Sequence, residues 1–235
     1  MSQAQRGPIE ERLGETLGDY WLGRVTDHTH DSYAGVTLSK FPEDLRVYER
    51  LLWESSADTV IEIGTEHGAS ALWFRDRLAT LANYGRLEKP LVVSIDLDVR
   101  AARKNLLAVD PEMEDTIKLL QGDVRDPELP RQVAQFLPSG ARPFVIEDSG
   151  HTYDATWAAL EGFAGFVPPS GYFVVEDGCV DIEPMRLSAD WPRGVLPALT
   201  DWLASPAGSA FESCRDLEMY GLTCHPKGFL QRQPA

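Results

Sequence analysis

The chain has 235 residues, 43% of them hydrophobic and 25% charged, which is typical of a globular protein that can bury a sizeable core. Asp and Glu outnumber Lys and Arg by 37 to 22, and the resulting net charge of −15 argues against nucleic acid or an anionic membrane as a partner. The sequence has no apolar run near the roughly 18–20 residues of a membrane span, no signal-peptide core and no disulfide or zinc spacing among its three cysteines. We therefore expect a cytoplasmic protein.

The N-terminal residues do not follow the pattern of the rest of the chain. We predict a short helix over Arg6–Leu17, a loop or lid over Trp21–Leu38 and a helix over Glu43–Trp53. We assign residues 1–55 to a helical extension with a lid and residues 56–235 to one larger domain. Because extensions of this kind often pack on a neighbouring subunit, we expect a homo-oligomer.

From residue 58 onward, short apolar runs alternate with helix-length amphipathic segments. Apolar strands that are each followed by a helix are typical of a parallel sheet covered on both faces, so we predict an α/β fold with a mostly parallel, twisted sheet. The predicted strands are Thr59–Ile63, Leu91–Ile95, Ile117–Gln121, Pro143–Glu147 and Gly171–Val175. The predicted helices between them are Ser70–Ala82, Val99–Leu107, Glu128–Phe136 and Tyr153–Phe166.

The last part of the chain breaks this alternation. Cys179–Trp191 lacks a clear period, which favours a substrate-facing loop. A helix is predicted over Leu196–Leu203. We expect Phe211–Leu217 and Gly221–Gln231 to form a final antiparallel hairpin.

The clearest local signal is the run Val60-Ile-Glu-Ile-Gly-Thr-Glu-His-Gly-Ala-Ser70. It predicts a buried strand that enters a glycine turn and then a helix, where backbone can approach a ligand closely. The spacing Glu-x-Gly-x-x-x-Gly differs from the Gly-x-Gly-x-x-Gly that binds a dinucleotide pyrophosphate, so it favours S-adenosylmethionine (SAM) over a nicotinamide cofactor. A purely geometric role for the glycines is the alternative. The candidate cofactor-binding residues of this run are Glu62, Gly64, Thr65, Gly68 and Ser70.

Every predicted strand ends at, or within a residue or two of, an acidic side chain. Ligands of parallel α/β sheets bind beyond the carboxyl ends of the strands, so we expect these acids to converge on one edge. They are Glu62, Asp96, Asp123, Asp148 and the pair Glu176 and Asp177.

The acids after the second and third strands suit an adenosine cofactor. Asp96 is placed to accept from ribose hydroxyls, and Asp123 from the adenine amine. Asp98 competes with Asp96 for the ribose, and the sequence does not separate the two. A helix N-cap is the alternative role of Asp123.

The acids after the fourth and fifth strands suit a metal. Asp148, Glu176 and Asp177 offer hard oxygen ligands for Mg²⁺, Mn²⁺ or Ca²⁺, and they would repel one another without a cation. Such an ion can bind a substrate hydroxyl and lower its pKa. For Glu176, helix capping or pairing with an arginine is the alternative. His151 follows Asp148 by three residues and is a candidate general base, with capping or packing as its alternative.

Several runs resemble one known family in order along the chain. Gly35-Val-Thr-Leu-Ser-Lys-Phe-Pro-Glu-Asp-Leu-Arg-Val-Tyr48 resembles the N-terminal signature of the cephalosporin hydroxylase family. The glycine turn continues the resemblance. So do Val145-Ile-Glu-Asp-Ser-Gly-His-Thr152, Tyr172-Phe-Val-Val-Glu-Asp177 and Leu222-Thr-Cys-His-Pro-Lys-Gly-Phe-Leu-Gln-Arg232, so that it extends from about residue 20 to 232.

The resemblance implies a class I methyltransferase fold with SAM and magnesium sites, similar to rhamnosyl and macrolide-sugar O-methyltransferases. It places Asp148, Glu176 and Asp177 on the metal and makes His151 the base, with Asp148 also in the catalytic set. Glu147 and Gly150 stand where the family is expected to have an apolar and an acidic residue. We therefore expect the loop that carries His151 to be reshaped.

The function expected from these features is O-methylation of a hydroxyl on a small natural product, for example a deoxysugar of a polyketide or macrolide in antibiotic biosynthesis. One rival is a hydroxylase, or a partner subunit, in β-lactam tailoring, although the sequence shows no redox cofactor site. The other rival is a non-enzymatic module that binds SAM and a protein partner.

Overall fold

The computed structural model describes residues 7–234, which fold around a seven-stranded sheet with helices on both faces. The strand order is β5-β4-β3-β6-β7-β9-β8, in which the first five are parallel and β9 runs antiparallel to both β7 and β8. The strands are β1 Ser32–Tyr33, β2 Val36–Thr37, β3 Thr59–Ile63, β4 Leu91–Asp96, β5 Ile117–Gln121, β6 Pro143–Glu147, β7 Tyr172–Val175, β8 Phe211–Ser213 and β9 Phe229–Arg232. The helices are α1 Leu17–His28, α2 Pro42–Ser55, α3 Ala69–Asn83, α4 Arg100–Val109, α5 Leu129–Ala134, α6 Tyr153–Phe163 and α7 Val195–Leu203.

The two faces of the sheet bury separate apolar clusters. Ile61 and Ile63 of β3 pack on the side covered by α1, α6 and α7, whereas Val60 packs on the side covered by α2 and α3. Every residue of β3 and of β6 is buried, as expected of central parallel strands. The predicted α/β fold with a mostly parallel sheet is confirmed.

The N-terminal prediction is wrong in two places. In the described part of the segment predicted as helix 6–17, a 3₁₀ turn forms at Ile9–Glu11, α1 begins only at Leu17, and α1 covers residues predicted as loop or lid. The Thr16 hydroxyl caps α1 by accepting from the Asp19 N–H at 3.1 Å. Trp21 and Val25 lie four residues apart and are both buried, so one face of α1 packs on the core.

The later elements follow the prediction more closely. Each predicted strand from β3 to β7 is present within one residue at either end, and the final strands pair as an antiparallel hairpin, although β8 and β9 are shorter than predicted. The segment after Asp177 forms two 3₁₀ turns, Gly178–Asp181 and Glu183–Met185. It is held by the buried guanidinium of Arg186, which donates to the carbonyl of Trp191 at 2.6 Å. Across residues 7–234, no helix combines the length and apolar character needed to cross a bilayer.

Candidate functional site

A cleft of about 710 Å³ lies at the carboxyl ends of the parallel strands. Four of the strand-end acids line it, which confirms that the acids converge on one edge. The other two, Glu62 and Glu176, are buried and do not line it. The residues that line the cleft include Lys40, Gly64, Thr65, Asp96, Asp98, Asp123, Asp148, His151 and Asp177.

Gly64 allows the chain to pass close to itself. Its φ is +108°, and a Cβ added there would lie 1.9 Å from the carbonyl oxygen of Asp148. Gly68 also has a positive φ, +90°, and a Cβ on it would come within 3.0 Å of Leu106. The glycine turn therefore places the Asp148 backbone, which is the geometric role that the sequence left open.

Asp96 holds this turn in place. Its Oδ2 accepts hydrogen bonds from the backbone N–H groups of Thr65 and Glu66, each at 2.9 Å. Asp98 instead pairs with Arg100, whose guanidinium donates to it at 2.5 Å and helps lower the pKa of this carboxyl to about 2. Both acids line the cleft, so the choice between them for a ribose stays open.

Asp123 has a similar arginine partner. Arg125 donates to its carboxylate through Nη2 at 2.6 Å and lowers the pKa of Asp123 to about 2. The residue at the N-cap position of α5 is Glu128, so the alternative in which Asp123 caps that helix is not observed. Its carboxylate stays on the cleft wall as an ionised acceptor.

Glu62 lies under the turn and not in the cleft. Its Oε2 accepts a hydrogen bond from the Ser94 hydroxyl, Ser70 lies nearby, and burial raises the pKa of its carboxyl to about 7. The Thr65 and Ser94 hydroxyls are also bonded, at 2.6 Å. Glu62 therefore supports the turn from below, and the predicted direct contact with a cofactor does not match this position.

Asp148, His151 and Asp177 meet at the other end of the cleft. Each offers a ligand atom, and these atoms all lie within 4.8 Å of one another. Nε2 of His151 is 3.4 Å from Oδ2 of Asp177. His151 and Asp177 both have a left-handed backbone, with φ of +52° and +56°, a conformation that non-glycine residues keep only where the surroundings hold it.

The charges around His151 decide its protonation. Burial by itself lowers the pKa of the imidazole, but the carboxylates of Asp177 and Asp148 outweigh burial, and the pKa of His151 is raised above its ordinary value of 6.5. Its Nδ1 is buried and has no hydrogen-bond partner within residues 7–234. The ring is therefore poised to exchange a proton or to meet a further ligand.

Two of the site residues that sequence reasoning missed come from the N-terminal part of the chain. Nζ of Lys40 lies 2.5 Å from Oδ2 of Asp148 and 2.7 Å from Oε2 of Glu176. The hydroxyl of Tyr48 donates to the other oxygen of Glu176 at 2.7 Å. Glu176 is thus paired with a lysine, whereas an arginine was the expected alternative. The available signal was the run Gly35–Tyr48, which contains both new residues.

His225 joins the C-terminal run to the same end of the cleft. Its Nδ1 accepts from the backbone N–H of Asp177 at 3.0 Å, and its Nε2 lies 3.3 Å from Oδ2 of Asp44. Its ring also stacks on Tyr48, with centroids 6.0 Å apart and planes 7° apart. His225 therefore helps to fix the position of Asp177.

The donor set at this end fits a hard dication. Asp148, Asp177 and Glu176 supply carboxylate oxygens, and Lys40 offsets only part of their negative charge. Two of the three predicted metal ligands face the cleft directly. Glu176 lies behind them, with both oxygens already hydrogen-bonded.

A parallel sheet with a glycine turn at its central strand and an antiparallel final pair defines the class I methyltransferase fold, which serves SAM-dependent enzymes. The chain belongs to the rhamnosyl O-methyltransferase/CmcI family, whose model matches residues 25–233. It is 26% identical to a rhamnosyl O-methyltransferase of Mycobacterium bovis, covering 94% of this chain and 86% of the relative. It is 25% identical to the one of Mycobacterium leprae, covering 95% and 92%.

Solved structures show the same fold. CmcI with Mg and SAM superposes with a TM-score of 0.60 at 22% identity, covering 99% of this chain and 87% of that one. TomG from Streptomyces achromogenes, an O-methyltransferase solved with SAM, gives 0.56 at 16% identity and covers both chains fully at 100%. The predicted family, fold class and enzyme class, a SAM-dependent methyltransferase, are confirmed.

Proposed function

We propose that this enzyme uses Mg²⁺ to transfer the methyl group of SAM to a hydroxyl of a small natural product, with a deoxysugar as the first acceptor class. The observation that carries the proposal is a single cleft with the glycine turn and its acids at one end and Asp148, His151 and Asp177 at the other. Relatives named rhamnosyl O-methyltransferases support the sugar. CmcI with Mg and SAM supports both cofactors, and TomG, involved in tomaymycin synthesis, supports a natural-product context.

The cofactor is assigned to the end of the cleft at β3, β4 and β5. Gly64, Thr65, Gly68 and Ser70 shape the turn that faces it, with Glu62 underneath. Asp96 or Asp98 accepts from the ribose, and Asp123 accepts from the adenine amine. These assignments rest on the position of the acids along the cleft wall.

The reaction is assigned to the other end. Asp148 and Asp177 hold the metal from the cleft wall, and Glu176 is the third carboxylate behind them. A bound Mg²⁺ ion, for which Mn²⁺ or Ca²⁺ can substitute as a hard cation, lowers the pKa of an acceptor hydroxyl. With both groups bound, His151 would accept the hydroxyl proton, and the oxygen would bond to the methyl carbon as the carbon–sulfur bond breaks, releasing S-adenosylhomocysteine.

The N-terminal residues contribute to this site and to assembly. We keep the division into an extension and lid, residues 1–55, and a methyltransferase domain, residues 56–235. The role of the extension as a lid is supported by His28 and Lys40, which line the cleft. The exposed side chains of Ile9, Leu13 and Leu17 support a homo-oligomer that covers them.

Calorimetric titration with SAM and with S-adenosylhomocysteine, with and without Mg²⁺, tests the cofactor assignments. Incubation with rhamnosides and mass analysis of the product then tests the reaction, which should add one methyl group and stop in chelator. Absence of SAM binding would overturn the proposal. Addition of oxygen would favour the hydroxylase, and cofactor binding without turnover of any rhamnoside would favour a binding module.

A further inference from the structure

A buried lysine from the N-terminal part of the chain occupies the acid end of the cleft. Lys40 is 4% exposed, and its ammonium lies between Oδ2 of Asp148 and Oε2 of Glu176 at 2.5 and 2.7 Å. Within residues 7–234, it is the one lysine or arginine that pairs with either of these carboxylates or with Asp177. Apart from the imidazoles of His151 and His225, which also lie against these carboxylates, Lys40 is therefore the cation of this cluster.

The ammonium and the carboxylates need each other in the absence of a metal. A buried charge is tolerated only when it is paired and hydrogen-bonded, and neighbouring carboxylates repel one another unless a cation lies between them. Lys40 meets both conditions, because it bonds one oxygen of each acid. Those two residues are also ones that we assign to the metal.

The backbone holds Lys40 at this position. The next residue, Phe41, is buried and packs on Trp21 with ring centroids 5.4 Å apart, and Pro42 begins α2. The ammonium can swing on its four-carbon stem, but its Cα is anchored between two packed elements. A dication that enters the cluster therefore meets a positive charge that stays nearby.

We infer that Lys40 is a resident cation of this site, which offsets part of the charge of Asp148 and Glu176 when no metal is bound and competes with the dication for their oxygens. The inference rests on the metal site of the proposed function. It gives the segment before α2 a direct part in metal loading, since Ser39 and Lys40 also line the cleft. An ion that displaces the ammonium therefore moves the side chain of Lys40, which is part of the cleft wall.

The test is the variant Lys40→Met, which keeps the length of the side chain and removes the charge. Two quantities are measured on the full chain: the Tm in chelator, and the Kd of Mn²⁺ from its electron paramagnetic resonance signal. We expect the Tm in chelator to fall, and we expect Mn²⁺ to bind at least about tenfold tighter, because a like charge a few ångströms from the ion is gone. The rise in Tm on adding Mn²⁺ should exceed that of the wild type.

The matched control is Lys104→Met on the exposed surface of α4, which should leave both quantities unchanged. Lys40→Arg keeps the charge and should bind Mn²⁺ nearly as the wild type does. If Lys40→Met does not fold, Lys40→Gln replaces it, because its amide can still donate to one carboxylate.

The outcomes separate the inference from the proposed function. If the wild type binds Mn²⁺ and Lys40→Met binds it equally or more weakly, Lys40 has a structural role only and the competition is overturned. If neither protein binds Mn²⁺ at millimolar concentration, the metal site itself is overturned. Tighter binding with a lower Tm in chelator supports the inference.

Discussion

Replacing Gly64 with alanine tests how the glycine turn places the loop that carries Asp148 and His151. The added Cβ would lie 1.9 Å from the carbonyl oxygen of Asp148 and 2.6 Å from its carbonyl carbon. Side-chain Cβ atoms essentially never approach a neighbour within 3.0 Å, so the two segments must separate by at least about 1.1 Å. The atom that obstructs the Cβ belongs to the backbone, and no side-chain rotation relieves the contact.

The expected loss of stability has two parts. A left-handed φ costs an L-residue about 1–2 kcal/mol. Overpacking against rigid structure costs about 1–3 kcal/mol more, so the free energy of unfolding should fall by about 2–5 kcal/mol. Because Asp148 moves with the loop, a displacement of about 1 Å should also lower the methyl-transfer rate by about 10²-fold.

Urea denaturation and steady-state kinetics measure these two effects. The matched control is Gly85→Ala at the end of α3, where φ is +71° but nothing lies within 4 Å of an added Cβ. It should show only the cost of the backbone angle and no loss of rate. If Gly64→Ala is no less stable than Gly85→Ala and keeps full activity, the turn does not approach the backbone of Asp148 as closely as described.

Three further predictions concern the acid end. Asp177→Ala should abolish Mg²⁺-dependent turnover and leave SAM binding intact by calorimetry, whereas full wild-type activity in chelator would contradict the metal role. In chelator, NMR titration should place the pKa of His151 above 6.5, and Asp177→Asn should lower it, because Asp177 is the carboxylate that raises it most. Since folding raises this pKa, the protonated ring stabilises the protein most below pH 6.5, and that contribution disappears as the pH rises through the raised pKa. The free energy of unfolding of the wild type should therefore exceed that of His151→Ala by an amount that falls with pH, and a difference that does not change with pH would refute this. Tyr48→Phe leaves one buried oxygen of Glu176 without its donor and should lower the free energy of unfolding by about 1–3 kcal/mol in urea titration, whereas exposed Tyr84→Phe should change it little.

The sheet could be predicted from the sequence because its strands are buried on both faces. Five short apolar runs, each followed by an amphipathic segment, leave few alternatives to a parallel sheet, and they fix where the strands end. Because parallel strands end at the same edge of a sheet, the acids at those ends are expected to lie together. Asp148 and Asp177 do so, with ligand atoms within 4.8 Å of each other. Local pattern and topology are therefore sufficient to place these acids at one edge of the sheet.

The N-terminal part could not be placed by the same rule. Its polar residues favoured a loop over Trp21–Leu38, but the packing of Trp21 and Val25 on the core stabilises α1. Lys40 lies 108 residues from Asp148 along the chain, and His225 lies 48 residues from Asp177. Contacts of such separation depend on how the elements pack, so neither residue could be linked to the site from local pattern.

Acidic residues at equivalent strand ends perform different tasks because their surroundings differ. Asp96 accepts from two backbone N–H groups and holds a turn, while Asp123 is fixed by an arginine. Glu62 is fully buried beside the Ser94 hydroxyl, where burial raises its pKa to about 7, and it does not line the cleft. Asp148 and Asp177 line the same cleft and are partly exposed. Under these conditions a carboxylate can exchange one cation for another. A strand-end acid therefore predicts where a ligand binds, and the neighbours of each carboxylate determine which of them binds it.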